Sequence, residues 1–160
     1  MITKQEYIES LVFEFHVLRH LGAKVTEDIF EFRPTPKQRS THELMKYLCS
    51  IFGAAIDAIK LGTPTVSGDW EAGLPEVTLE NFGELLQKQE DHARKVVGEM
   101  TEEELNERVT LYGATATRAA HLLNGPVKWA AAYKLQLFMH LKMTGQEHLS
   151  TLNLWAGMDP

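Results

Sequence analysis

The sequence predicts an all-α fold: a four-helix bundle with a long crossover between helices 2 and 3. Apolar residues recur at the spacing of one helix face in four long segments. Capping-box spacings and Gly or Pro stops bound those segments. The Gly- and Pro-rich stretch 62–77, "GTPTVSGDWEAGLPEV", is long enough to carry the chain across the bundle rather than around a tight hairpin. No convincing strand interrupts the pattern, and 160 residues with 44% hydrophobic content fit a single domain over 1–160.

The first helix is expected from about Lys4 to about Val25, with Ile8, Leu11, Val12, Phe15, Leu18 and Gly22 on one face. Phe13, Val17 and Leu21 form a second stripe roughly opposite, which predicts either a homodimer contact or cover by the crossover segment. The prolines of "FEFRPTPKQRS" then force an extended connection. Ser40 and Glu43 have capping-box spacing, so the second helix starts just after Ser40 and stops at Gly62, ahead of Pro64.

The third helix is expected from about Leu79 to about Val97, with Phe82, Leu85, Leu86, Gln89, Ala93 and Val96 on one face. Thr101 and Glu104 predict a short capped helix, "RVTLYG" a brief extended piece, and "TATRAAHLL" one or two helical turns. Pro126 is suited to a first helical position, so the fourth long helix runs from there to about Thr144, with Gly145 as its cap. The apolar tail, with Leu152, Leu154 and Trp155, is expected to fold back and dock.

The net charge of -6 argues against a nucleic-acid binder, which needs a basic surface to displace phosphate counterions. No apolar run approaches the roughly 20 residues of a membrane span, and the N-terminus has no signal-peptide core, so the expected location is cytoplasmic. The lone cysteine, Cys49, lies in the apolar run "YLCSIF" and reads as a small core residue in a reducing compartment.

The residues that carry chemistry are sparse. His16 and His20 are one turn apart but sit away from the main apolar stripe, which makes them surface or interface residues rather than a ligand pair. His42 reads as a solvated first-turn residue, and His92, His121 and His148 have no neighbour at ligand spacing. On the fourth helix Trp129, Ala132, Tyr133, Gln136, Met139, His140 and Met143 share a face, and Phe138, Leu141, Leu135 and Ala130 cover much of the rest. Such a helix is expected to be buried nearly all round. Gln136 and His140 then need partners. Either a Gln–His–Tyr network satisfies them inside the bundle, or they line a cavity that water or a ligand enters. No phosphate loop, nucleophile elbow, Cys-x2-Cys pair or acid–base pair is evident.

"EFRPTPKQRSTHELMKYL", "QLFMHLKMTGQ" and "NLWAGMDP", in this helix order, resemble the DinB-like family of four-helix bundles over nearly the whole chain. Members often bind a divalent metal through one histidine on the second helix and two, four residues apart, on the last. The resemblance places those positions at Tyr47, Met139 and Met143, so it implies a divergent member without the histidine triad. Two thioethers and a phenol are poor donors for zinc or nickel. The expectation is therefore a protein without a cofactor, its central cavity lined by Tyr47, Gln136, Met139, His140 and Met143 and serving as a small-molecule pocket or forming a filled core. A metal-dependent thiol transferase or hydrolase carrying Zn or Ni is the first alternative, and a homodimeric interaction protein the second. Expected partners are a small-molecule ligand and a second copy of the chain, with neither nucleic acid nor membrane.

Overall fold

The computed structural model describes residues 2–64 and 67–160. Helix α1, Lys4–Gly22, starts at a reciprocal capping box between Thr3 and Glu6. It ends earlier than the expected Val25. The N–H groups of Lys24 and Val25 bond back to the carbonyls of Leu21 and Gly22, which turns the chain, and Val25 is buried in that turn. A single-turn helix, α2 (Glu27–Phe30), follows. Helix α3, Thr41–Leu61, begins and ends where the sequence places it. Ser40 and Glu43 form the capping box, and Gly62 closes the helix in the left-handed region at φ 74°.

The connection after α3 is not without structure. Helix α4, Ser67–Ala72, lies within it. Trp70 holds α4 against α3, with its indole N–H donating to Asp57 Oδ2 at 2.8 Å and its ring lying over Gly53. Helix α5, Phe82–Glu99, starts three residues later than expected and buries Phe82, Leu85, Leu86, Gln89 and Ala93 as the pattern requires. The Thr101 capping box opens α6, Glu102–Asn106.

The brief extended piece expected at "RVTLYG" is the first strand of a short antiparallel hairpin, whose second strand lies in the segment expected to be helical. Strands β1 (Arg108–Leu111) and β2 (Ala114–Thr117) pair with Arg108 opposite Thr117 and Leu111 opposite Ala114. The turn residues Tyr112 and Gly113 both have positive φ, 52° and 81°, the backbone of a type I′ turn, whose twist matches the strands. The hydroxyls of Thr110 and Thr115 meet across the ladder at 2.8 Å. Only the second half of "TATRAAHLL" is helical, as α7 (Arg118–Leu122), capped by Thr117.

The expected break at Asn124–Gly125–Pro126 is also not a restart. Leu123–Val127 is a π-helical turn with Pro126 inside it, and α8, Lys128–Met143, continues directly. The wider turn absorbs a residue that has no N–H to give.

Cross-helix contacts fix the topology. Gly53 meets Gln89 and Asp57 meets His92, so α3 and α5 ascend together, the parallel relation that a long crossover permits. Glu14 meets Lys134 and Lys24 meets Gln146, so α1 and α8 are parallel. Thr41 meets His140 and Tyr47 meets Tyr133, so α3 and α8 are antiparallel. The result is an up–down–down–up bundle. Phe15 and Phe52 meet edge-to-face at its centre, ring centroids 5.1 Å apart, among fully buried Leu18, Leu48, Ile56, Leu86 and Leu137.

The second stripe of α1 is covered by the chain's own tail. Val17 and Leu21 are fully buried, while Phe13 remains half exposed. Helix α9, Thr151–Ala156, packs on α1, with Asn153 bonded to His20 and Lys24 paired with Asp159. Neither the crossover nor a second copy is needed to bury Val17 and Leu21. Leu149 and Leu154 make the buried contacts of the tail, whereas Leu152 and Trp155 face outward. Among the described residues no helix is long and apolar enough to cross a membrane.

Arg118 ties three elements together. Its Nε donates to the Ile59 carbonyl at 2.9 Å, one of the orphan acceptors at the end of α3, and its Nη1 reaches Glu104 O and the Glu107 carboxylate. Arg118→Met keeps the aliphatic packing but strands that buried carbonyl. The expected loss is about 2–3 kcal/mol by urea denaturation, and a loss within experimental error would show the contact to be idle.

Candidate functional site

The pocket expected from the sequence does not assemble. Tyr47 lies against Tyr133, with ring centroids 5.2 Å apart and hydroxyls at 3.5 Å. From Tyr133, Met139 lies about 9 Å and Met143 about 15 Å farther along the axis of α8, at 1.5 Å per residue. The three positions therefore do not converge on one point. Nor is α8 buried all round: Met139 is 45% and Met143 56% exposed, and Leu135 is also open to solvent. Tyr47 instead lines a shallow charged groove with Arg39, Glu43, Lys46 and Glu71.

A divalent metal does not fit these residues. The Arg39 guanidinium sits 3.9 Å above the Tyr47 ring and would repel a dication. Burial pushes the Tyr47 hydroxyl well above the ordinary tyrosine range, so a phenolate ligand is disfavoured. Among the described residues no three His, Cys, Asp or Glu side chains gather as a metal cage.

His140 is the one expected residue that is fully buried, at 1% exposure. Its Nδ1 lies 3.1 Å from Thr41 Oγ1 and its ring stands edge-on to Phe32. Nε2 has no partner among the described residues, and Gln136 makes no side-chain hydrogen bond there, so the Gln–His–Tyr network does not form. Burial lowers the His140 pKa. Above about pH 6.5 the imidazole is neutral folded and unfolded. As the pH falls below that, the unfolded chain takes up a proton that the folded chain resists, so stability drops. His140→Asn should flatten this acid limb relative to the parent in urea melts between pH 7 and pH 5. Parallel pH profiles would refute the assignment.

A different candidate lies on the other side of α3. A cleft of about 370 Å³ lies between α3, α4 and α5, lined by Cys49, Asp57, Trp70, Leu74, Leu85 and Gln89 among others. That is within the usual range for small-molecule sites, roughly 300–1,000 Å³. Asp57 is its polar centre. One carboxylate oxygen accepts from the Trp70 indole and the other lies 2.6 Å from His92 Nε2. The Trp70 and His92 rings also meet edge-to-face, 4.8 Å apart. Gln89 Oε1 accepts from the Gly53 N–H at 2.7 Å.

Cys49 forms part of the floor and is buried as expected, its thiol pushed up to about 12 by burial. A group held this firmly as a thiol is no nucleophile at neutral pH. Native protein should react with a disulfide reagent at pH 8 about a thousandfold more slowly than free cysteine. A rate like that of free cysteine would place the thiol at the surface.

Three of the other histidines are engaged structurally. His20 binds the tail, and His42 stacks on Phe30 with its Nδ1 3.3 Å from Glu31, so it is not merely solvated. His121 reaches the Val109 carbonyl. The residues that sequence spacing missed are Asp57, Trp70 and His92. The available signal was a bulky tryptophan inside a Gly- and Pro-rich connection, which has to bury its ring somewhere.

Four long helices in up–down–down–up order, with the long connection between the second and third, define the class of helical bundle. The sequence matches no protein-family model and no curated protein. Its backbone is similar to a DinB-like protein of Bacillus subtilis, with a TM-score of 0.70 and 20% identity over 88% of this chain and 92% of that one. A DinB-like protein of Bacillus cereus is similar with the same TM-score and coverage at 10% identity. The chain thus has the DinB-like fold.

Proposed function

We propose that this protein binds a small molecule in the cleft between α3, α4 and α5. The observation that carries this reading is the set of polar groups fixed on facing walls of a largely apolar cleft. Trp70 and His92 orient the Asp57 carboxylate, and Gly53 orients the Gln89 amide. Ligand sites combine an apolar lining with a few oriented polar groups in this way. Orienting groups before the ligand arrives also lowers the entropy that binding must offset. The DinB-like fold supplies the parallel α3 and α5 and the crossover that builds the third wall.

Trp70 is the natural reporter. A Trp129→Phe, Trp155→Phe variant leaves it as the single tryptophan of the three in the chain. Its fluorescence should change on titration with members of a panel of small amphipathic molecules. Leu85→Trp in the unmodified background, which fills the cleft, should abolish binding of the same compounds followed by ligand-observed NMR. Binding that survives the filled cleft would place the site elsewhere.

A further inference from the structure

Taken as a binding site, the cleft carries information about the chemistry of its occupant. Gln89 is only 1% exposed, and the atom facing the Gly53 N–H must be its amide oxygen, since an NH₂ cannot accept that bond. The amide nitrogen therefore points the other way. It meets no partner among the described residues, and Gln89 lines the cleft. It is a fixed, unspent donor. Asp57 stands four residues beyond Gly53, about 6 Å farther along α3 at 1.5 Å per residue. Each of its oxygens is oriented by one neighbour and keeps a second lone pair.

The charge around this donor–acceptor pair is negative. Asp57 and Asp69 both line the cleft, and the Lys88 ammonium that also lines it is engaged by Glu84 at 2.9 Å. His92 is the titratable group in contact with Asp57. The remaining lining is apolar, with Leu74, Pro75 and Leu85.

We infer that the cleft selects a small amphipathic amine that also bears a carbonyl oxygen, its ammonium on Asp57, its carbonyl on the Gln89 amide nitrogen and its aliphatic body against Leu74 and Leu85. This rests on the cleft being the binding site. An ammonium suits the net negative charge and the carboxylate acceptor, and a carbonyl suits a neutral, fixed amide donor that has no protein partner among the described residues.

The test uses three probes that share one branched aliphatic body: L-leucinamide with both groups, isoamylamine without the carboxamide, and 4-methylpentanamide without the amine. Binding is read from the Trp70 indole N–H signal in ¹⁵N–¹H spectra, identified by its loss in Trp70→Phe. Leucinamide should bind about tenfold more tightly than either partial probe. Gln89→Glu, which keeps an oxygen for Gly53 but removes the donor, should erase the advantage over isoamylamine. Asp57→Asn should erase the advantage over 4-methylpentanamide. Equal affinity of the three probes for the unmodified protein overturns the ligand class while leaving the cleft as a site, and this comparison needs no variant to fold. A preference that persists in both well-dispersed variants overturns the assigned contacts. No shift of the Trp70 signal by any probe at millimolar concentration removes the inference. If larger or differently charged compounds then move that signal, the site reading survives.

Discussion

Lys134→Ala is expected to destabilise the protein by about 3 kcal/mol, near the lower end of what removing one partner of a buried ion pair costs. Lys134 is 1% exposed and its ammonium lies 2.7 Å from Glu14 Oε2. Glu14 keeps 15% exposure of its side chain, which relieves part of the penalty of leaving its carboxylate unpaired. The ammonium also lies 4.6 Å from the centroid of the Trp155 ring, so the same ion helps to hold α9 on the bundle. The single variant should lose stability in urea melts and show faster amide exchange in α9. A Glu14→Leu, Lys134→Met double variant removes both charges and should recover most of the loss, because the desolvation of the pair disappears with it. If the double variant is no more stable than Lys134→Ala, the loss comes from packing rather than from a stranded charge.

Nothing in the local sequence announces that pair. Lys134 stands between Tyr133 and Leu135 on a helix whose apolar residues point in every direction. The expectation of a helix buried all round put Leu135, Met139 and Met143 inside, but those residues are exposed while a lysine is buried. Apolar residues on the surface are ordinary, so composition alone does not show which face of α8 is covered. The tail decides it: α9 packs on α1 and sets the Trp155 ring by the Lys134 ammonium, and a short terminal helix leaves only a faint periodic signal.

The elements that were legible are those whose causes are local. Ser40 with Glu43 specifies the start of α3, and Thr101 with Glu104 that of α6, through side-chain to backbone bonds spanning three residues, while Gly62 ends α3 by its left-handed backbone. The hairpin and the π-helical turn have local signals too, but these compete with helix-forming neighbours. Thr115 and Thr117 flank Ala116, and Pro126 looks like a helix start unless the preceding turn is already wound. The parallel relation of α3 and α5 follows from the length of the crossover. Which side chains that packing brings together does not. Asp57 and His92 are 35 residues apart, and only the register of the two helices makes them a pair. The resemblance to DinB-like proteins gave the right fold, but its placement of the ligand positions at Met139 and Met143 puts them well along α8 from Tyr47.

Gly53→Ala tests the cleft most directly, because two effects of opposite sign compete at one methyl group. Gly53 sits in the interior of α3, where alanine is favoured by about 1 kcal/mol on helix propensity alone. A Cβ there would lie 2.4 to 2.7 Å from atoms of the Trp70 ring. Real Cβ atoms do not come that close, so the ring must move, and forced repacking of this kind costs about 1–3 kcal/mol. The clash is with a rigid indole held at its nitrogen by Asp57, not with the far end of a flexible chain. We expect the clash to win and α4 to leave its seat on α3. The Trp70 emission should shift to the red, the Asp57 hydrogen bond should be lost, and binding in the cleft should weaken about tenfold or more, since one wall has gone. The loss of global stability should be smaller than for Lys134→Ala, because α4 is peripheral and the core around Phe15 and Phe52 is untouched. A variant that is instead about 1 kcal/mol more stable, with unchanged Trp70 emission, would mean that the ring does not rest on Gly53 in solution. The cleft would then lack the wall that makes it a site.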